Sequence, residues 1–384
     1  MKKIYIVSML VLLALFSYSG GSVNAKVVCN TIERIPHISA RSAVAIDSKT
    51  KIILYDKNSS QVIPMASTTK IITALVALRY GDLDKKVQIS QNATGIRGSK
   101  VGYKKGELIE IRELLYGLML RSGNDAAIAI AEGIAGSVEE YLKIMNEFSN
   151  EIGLLDTHFE SPHGLDSENH YTTAYDLAIL TSKAKEISQF NKIVASKEVG
   201  AETFGFSRSY HNINKILWEI PLANGVKTGY TGQAGKCLVT SVDVNGRDIV
   251  IVLLNSSERW KETNKIYDYI NKQYEYRKIA GKDDEVYKLP PSSKTNEIIL
   301  KTKEEIVVPV KKNSQISQKV VIPNYVNLSA LKGDKIGTMQ IYQDEEFLYS
   351  VALVNKDNIK KSNKIKKILS FFKNSSEYNI ELEH

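Results

Sequence analysis

Residues 63–75 read Ile63-Pro64-Met65-Ala66-Ser67-Thr68-Thr69-Lys70-Ile71-Ile72-Thr73-Ala74-Leu75. Pro64 marks a break, after which Ile71, Leu75 and Leu78 recur at helical spacing until Gly81 stops the run. The pattern predicts a mostly buried helix with Ser67 in its first turn and Lys70 one turn further on the same face. That placement suits a serine nucleophile. A neutral lysine amine can take the hydroxyl proton, and the helix N-terminus favours negative charge developing near Ser67. Alone the motif is weak. Ser-x-x-Lys also occurs at Ser48, Ser182, Ser329 and Ser370, where a capping serine and a solvated lysine suffice.

The chain has 384 residues, 43% hydrophobic and 24% charged, enough for two domains with cores of their own. Its net charge of +8 is compatible with nucleic acid, an anionic membrane or an anionic cell wall, so the distribution of charge decides. Residues 1–25 read as a secretory signal peptide. Lys2-Lys3 precedes an apolar run from Ile4 to Phe16, and Val23-Asn24-Ala25 fits a small-residue cleavage site. The run is short for a retained anchor. Bulky Val28 before Cys29 argues against a lipoprotein. The other cysteine, Cys237, lies in an apolar run and reads as a buried free thiol, although pairing with Cys29 stays open.

Further along, Ser42–Ile46 and Lys51–Tyr55 read as two strands flanking a turn at residues 47–50. Residues 82–106 are basic and turn-rich and read as loops with short strands. A helix from about Ile111 ends at Arg121-Ser122-Gly123-Asn124, an alanine-rich helix starts at Asp125, and an amphipathic one spans about Glu139 to Ile152. Residues 156–171 hold His158, His163 and His170, whose spacing matches no common ligand pair. They read as a structured loop with surface histidines and not as a metal site. Thr173 to Asp176 resembles an N-cap. The stretch Asn224-Gly225-Val226-Lys227-Thr228-Gly229-Tyr230 opens a run of antiparallel strands, with Asn245-Gly246 a strong hairpin signal, and residues 260–272 read as a closing helix.

Composition shifts after about residue 273 to short alternating segments separated by turns, the pattern of a small all-β domain. In residues 359–373, Ile365, Ile368, Leu369 and Phe372 form a helical stripe among six lysines and no acid. This reads as a basic amphipathic helix lying on an anionic membrane surface. The division expected is therefore a signal peptide at 1–25, a catalytic domain at 33–272, a β-domain at 273–356 and a membrane-anchoring tail at 357–384.

Three pieces stand in order: Ser67-x-x-Lys70, Ser122-Gly123-Asn124 and Lys227-Thr228-Gly229. Ser-x-Asn recurs at Ser90 and Ser167, but Lys-Thr-Gly occurs once. The ordered trio is the set found in penicillin-binding proteins and class A β-lactamases, with Gly123 where the latter carry Asp. With Ala66 before Ser67, Gly117-Leu118-Met119-Leu120 before Ser122, and His163-Gly164-Leu165-Asp166, the chain resembles the low-molecular-mass penicillin-binding proteins. These are D-alanyl-D-alanine carboxypeptidases of the S11 serine peptidase family. The resemblance runs over nearly the whole chain.

The resemblance implies an α/β (α+β) fold: a β-lactamase/transpeptidase-like antiparallel sheet with flanking helices and a helical lobe inserted between the Ser67 helix and the Lys227 strand. It implies removal of the terminal D-alanine from peptidoglycan stem peptides ending in D-Ala-D-Ala, and inhibition by β-lactam antibiotics. Ser67 would form the acyl-enzyme, and Lys70 would be the general base with its pKa depressed by burial beside Lys227. Ser122 would relay a proton to the leaving D-alanine. Asn124 would bind the peptide backbone and orient Lys70. Lys227, Thr228 and Gly229 would form the strand that holds the terminal carboxylate, and the N–H groups of Ser67 and Tyr230 the oxyanion hole. No metal or organic cofactor is implied, nor a nucleic-acid partner. The location implied is exported, on the outer face of the cytoplasmic membrane or in the cell wall, in peptidoglycan and cell-wall biogenesis and cell shape. A β-lactamase shares the trio but needs a Glu-x-x-x-Asn pattern that is missing between Ser122 and Lys227. Transpeptidase or endopeptidase activity would use the same machinery. An inactive wall-binding protein would not need Ser67, Lys70 and Lys227 intact.

Overall fold

The computed structural model describes residues 34–291, 297–324, 326, 329–359 and 381–382. The signal peptide, Cys29 and residues 360–380 of the amphipathic tail therefore lie outside the described residues. Strands β1 (Ser42–Asp47) and β2 (Ile53–Lys57) form the first hairpin. Strand β2 starts two residues later than the alternation suggests, because Lys51 takes a left-handed φ of 63° in the turn. A 3-10 turn at Ala66–Thr69 leads into α1 (Lys70–Tyr80). Residues 82–106 hold β3 (Lys86–Gln88) and also a short helix, α2 (Gln91–Gly95), capped by the Ser90 side chain. After β4 (Leu108–Glu110) come α3 (Ile111–Leu120), α4 (Asn124–Ala135), α5 (Val138–Glu151), α6 (Ala174–Ala184) and α7 (Ser188–Ala195). The connection back to the sheet carries β5 (Glu198–Val199), α8 (Ala201–Phe204), β6 (Tyr210–His211) and α9 (Ile216–Glu219). Then follow β7 (Ala223–Thr231), β8 (Gly235–Val244), β9 (Arg247–Leu254) and α10 (Arg259–Gln273).

The central sheet is antiparallel throughout, in the order β2-β1-β9-β8-β7. It is buried on both faces. Val44 and Ile46 of β1 and Val250, Val252 and Leu254 of β9 pack toward the helical lobe. Ala43, Ala45, Ile249, Ile251 and Leu253 pack toward Ile266 and Ile270 of α10. Strand side chains alternate between faces, so a doubly covered strand must be apolar at every position, which is why residues 249–254 read as one unbroken run. Asn245 and Gly246 both take positive φ, 56° and 77°, as a two-residue hairpin of this twist requires.

This is the expected architecture of an antiparallel sheet with flanking helices and an inserted helical lobe. Helix α1 is the axis of the lobe, with every residue from Lys70 to Ala77 buried, so the apolar stripe seen in sequence is one side of a helix covered all round. Alanines 126, 127, 129 and 131 of α4 let α1, α3 and α5 approach closely. Ser137 caps α5 by accepting from Glu140 N at 3.2 Å. Thr173 caps α6 by accepting from Asp176 N at 3.0 Å.

Beyond α10 the elements among the described residues are strands: β10 (Tyr274–Ala280), β11 (Glu285–Leu289), β12 (Ile298–Thr302), β13 (Ile306–Lys311), β14 (Ile316–Val321), β15 (Lys335–Gln343), β16 (Glu346–Asn355) and β17 (Glu381–Leu382). β10 pairs with β13, and the others form a six-stranded sheet in the order β11-β12-β16-β15-β14-β17. Leu300, Val308, Val310, Met339, Ile341 and Leu353 fill the core between them. The contact with the first sheet is polar at its centre. Fully buried Asp47 accepts from Thr50 N and Oγ1 at 2.7 Å on one oxygen and from Tyr276 Oη at 2.8 Å on the other. Ile52 packs beside it onto the second core. Tyr276→Phe takes that donor from a buried carboxylate and should destabilise the protein by about 1–3 kcal/mol, read as a lower urea midpoint. An unchanged midpoint would remove Asp47–Tyr276 as a structural link.

Candidate active site

The cleft lies where the 3-10 turn, the edge strand β7, the α3–α4 corner and the loop 156–171 meet. Ser67 is half-exposed on the turn, and Lys70 at the start of α1 is completely buried. Their side chains meet, Lys70 Nζ to Ser67 Oγ at 2.9 Å. The amine also donates to Asn124 Oδ1 and to the His163 carbonyl, each at 2.7 Å. Burial drives the Lys70 pKa well below its usual value, the Lys227 charge adds to this, and Asp125 opposes it. A neutral amine has two N–H groups and one lone pair. The two carbonyl oxygens take the N–H groups, so the lone pair is left facing the Ser67 hydroxyl, the arrangement of a general base.

Asn124 is fixed from its other end as well. Its Nδ2 donates to the Arg97 carbonyl at 2.7 Å and its backbone N–H to the Ser99 carbonyl at 2.8 Å. Next to it the fully buried Asp125 accepts from the backbone N–H groups of Val101 (3.0 Å), Gly102 (2.8 Å), Tyr103 (3.4 Å) and Ala126 (3.0 Å), tying residues 97–103 to the start of α4. Ser122 is buried on the same corner with φ of +60°, and Ala66, before Ser67, has φ of +50°. Left-handed backbone in non-glycine residues is strained by about 1–3 kcal/mol and concentrates at functional sites.

On the facing wall, Lys227, Thr228 and Gly229 lie in the middle of β7 and not at a strand start, while Tyr230 is exposed beyond them. Lys227 is almost fully buried, and burial followed by the Arg259 charge lowers its pKa to about 7. Gly229 packs tightly against the turn, since a Cβ there would lie 3.0 Å from both Ala66 Cβ and Ser67 N. Arg259, from the first turn of α10, donates to the carbonyls of Gly229 at 2.7 Å and Cys237 at 3.0 Å, so it pins β7 to β8 beneath the site. Cys237 is buried, which raises its pKa to about 11.

The loop 156–171 corrects the expectation of surface histidines. His163 and His170 are both buried, and only His158 is partly exposed. His170 Nδ1 accepts from Glu160 N at 2.9 Å, so Nε2 carries the proton and donates to Thr69 Oγ1 at 2.7 Å. Thr69 passes its own proton to the Ala66 carbonyl at 2.8 Å. Burial lowers His163 to about pKa 3 and His170 to about 4, so both rings stay neutral. The loop therefore braces the Ser67 turn, and at its far end Asp166 accepts from Gln233 N at 3.2 Å in the β7–β8 connection.

The structure joins Ser67, Lys70 and Asn124 by hydrogen bonds and brings Lys227 and Gly229 close to them, with Ser122 two residues before Asn124 and Thr228 and Tyr230 on either side of Gly229. The sequence reading missed the His163 carbonyl, Asp125 and Arg259. A carbonyl has no residue signature, Arg259 lies far along the chain from Lys227, and only the position of Asp125 directly after Asn124 offered a hint. Gly164, at φ +84°, backs onto the turn: a Cβ would sit 2.6 Å from the Ala66 carbonyl carbon and 2.7 Å from Thr69 Oγ1. Gly136 shares the conformation, φ +83°, in open space. Gly136→Ala should destabilise by about 1 kcal/mol from backbone strain alone, and Gly164→Ala by clearly more. Equal losses in urea unfolding would mean the loop yields without disturbing the turn.

The family model described as D-alanyl-D-alanine carboxypeptidase, Peptidase S11, matches residues 29–258, and the C-terminal domain of penicillin-binding protein 5 matches residues 274–361. The D-alanyl-D-alanine carboxypeptidase DacF of Bacillus subtilis is 32% identical over 336 residues, 84% of this chain and 86% of that protein. Penicillin-binding protein 5 of Haemophilus influenzae superposes with a TM-score of 0.76 at 26% identity, covering 84% of this chain and 98% of that one. The peptidoglycan synthesis regulatory factor PBP3 of Streptococcus pneumoniae does so with a TM-score of 0.68 at 25% identity, covering 84% and 100%.

Proposed function

The chain belongs to the S11 family of D-alanyl-D-alanine carboxypeptidases, and from that premise we propose that it removes the terminal D-alanine of peptidoglycan stem pentapeptides through an acyl-enzyme on Ser67. The contact of a buried, neutral Lys70 amine with Ser67 Oγ at 2.9 Å carries this reading. Lys70 takes the hydroxyl proton as Ser67 Oγ attacks the carbonyl between the two D-alanines. The N–H groups of Ser67 and Tyr230 hold the oxyanion, a contribution of about 10²–10³ in rate per donor in comparable sites. Lys227 and Thr228 hold the terminal carboxylate, and the fixed Arg259 charge adds to the field there. The proton reaches the leaving D-alanine nitrogen through Ser122, the amine departs, and water hydrolyses the ester. The chemistry calls for no metal or organic cofactor. β-Lactams acylate the same serine.

Such a substrate requires export. Residues 1–25 act as the signal, 33–272 as the catalytic domain, 273–356 as the β-domain, and 357–384 as the basic tail on the outer face of the membrane. The junction between the two matched family models, 258 to 274, supports the main division. Among the described residues no helix is long and apolar enough to cross a membrane, and a surface-lying tail needs none.

Two outcomes test the reading. Incubation with benzylpenicillin should add one adduct mass to the wild type and none to Ser67→Ala, with D-alanine release from a pentapeptide falling by at least about 10³-fold in the variant. Adduct on folded Ser67→Ala would sink the assignment. The reaction also needs Lys70 neutral and Lys227 charged. The kcat/KM should therefore rise as pH climbs through the depressed Lys70 pKa and fall above about 7 as Lys227 loses its proton. The alkaline limb should end on a plateau, because Arg259 keeps its charge. A flat profile from neutral to alkaline pH would exclude Lys227 as the carboxylate anchor.

A further inference from the structure

The wall of the cleft opposite β7 carries positive charge that the proposed chemistry does not use. The carbonyls of Arg97 and Ser99 hold Asn124, at 2.7 and 2.8 Å, so the backbone of Arg97 stands directly beside the group that orients Lys70. Its side chain is exposed. Among the described residues it pairs with no carboxylate, whereas Arg79, Arg112 and Arg208 each hold one, at 3.1, 2.5 and 2.7 Å. The next residue, Gly98, lies against the same group: a Cβ there would stand 2.7 Å from Asn124 Nδ2 and 3.6 Å from Leu165. Arg121, immediately before Ser122, is also exposed and also pairs with no carboxylate among the described residues.

Two acids of the site are already engaged. Asp125 is spent on four backbone N–H groups, and Asp166 accepts from Gln233 N. The neighbouring Lys100 is directed away, donating to the Thr94 carbonyl at 2.7 Å. A guanidinium is a rigid fork of donors suited to a carboxylate, and one left free at the lip of a substrate cleft meets whatever anion the substrate brings.

The substrate brings such a group on the proposed reading, on which this inference rests. With the terminal carboxylate at Lys227 and the scissile carbonyl at Ser67, the residues on the amino side of the penultimate D-alanine would leave the site on the Asn124 side, where the backbone of residues 97 and 99 stands. We propose that Arg97, together with Arg121 at the corner before Ser122, forms an anion subsite for a free carboxylate on the stem residue preceding D-Ala-D-Ala, so that the enzyme prefers acidic stems over amidated ones. One exposed, forked contact of this kind is worth about five- to tenfold, and it weakens with salt.

The test compares D-alanine release from two pentapeptides that differ only in a carboxylate or a carboxamide on the third residue. Wild type should favour the acid about five- to tenfold at low salt, with the preference shrinking at high salt. Arg97→Gln should bring the acid-to-amide ratio of kcat/KM close to one, Arg97→Lys should restore part of it, and Arg121→Gln should lower it partway. Covalent labelling by benzylpenicillin reports that each variant is folded. If Arg97→Gln does not fold, the salt dependence of the wild-type ratio and the Arg121→Gln ratio decide. A wild type without preference, or a ratio that is the same in wild type and Arg97→Gln, overturns the subsite. Release from neither peptide by the wild type overturns the carboxypeptidase reading itself.

Discussion

The molecule is arranged around one buried amine. Lys70 sits at the start of a helix covered on every side, where burial and the nearby Lys227 charge disfavour the ammonium form. The protein supplies two carbonyl oxygens and a hydroxyl, the set a neutral amine can satisfy in full. Asp125 is near enough to oppose the neutral form, but its carboxylate is occupied by backbone N–H groups and burial prevails. Lys227 adds a second positive charge to the same cleft, and its own pKa falls to about 7.

The three partners of Lys70 come from three different parts of the chain, and each is fixed by contacts that do not involve the amine. Asn124 is held by residues 97 and 99. The His163 carbonyl belongs to a loop braced by the His170–Thr69–Ala66 relay. Ser67 stands on a turn entered through left-handed Ala66, against which Gly229 of β7 packs tightly. The strain in Ala66 and Ser122 is borne by these surroundings, as a site that must be in place before substrate arrives requires.

Much of this was legible beforehand. The helix after Pro64, the alanine-rich helix α4, the Asn245-Gly246 hairpin and the β-rich C-terminal region follow from apolar spacing and turn chemistry, which are local properties. The motif residues were identifiable because serine, lysine and asparagine in fixed order have few other uses together. The histidines of the 156–171 loop were misjudged as surface residues. Their burial depends on the Ser67 turn folding back over them, and polar residues in a polar stretch give no sign of that. Arg259 was invisible because its work is done on carbonyls of strands that precede it by 22 and 30 residues.

The sequence by itself determined most of the elements and the side chains available for chemistry, because these depend on periodicity and residue type within short windows. Tertiary structure alone decided which proton each of those side chains holds. The state of Lys70, Lys227 and His170 is set by burial and by neighbours brought from distant parts of the chain, and electrostatic energy depends on distance in space, which no spacing along a chain encodes.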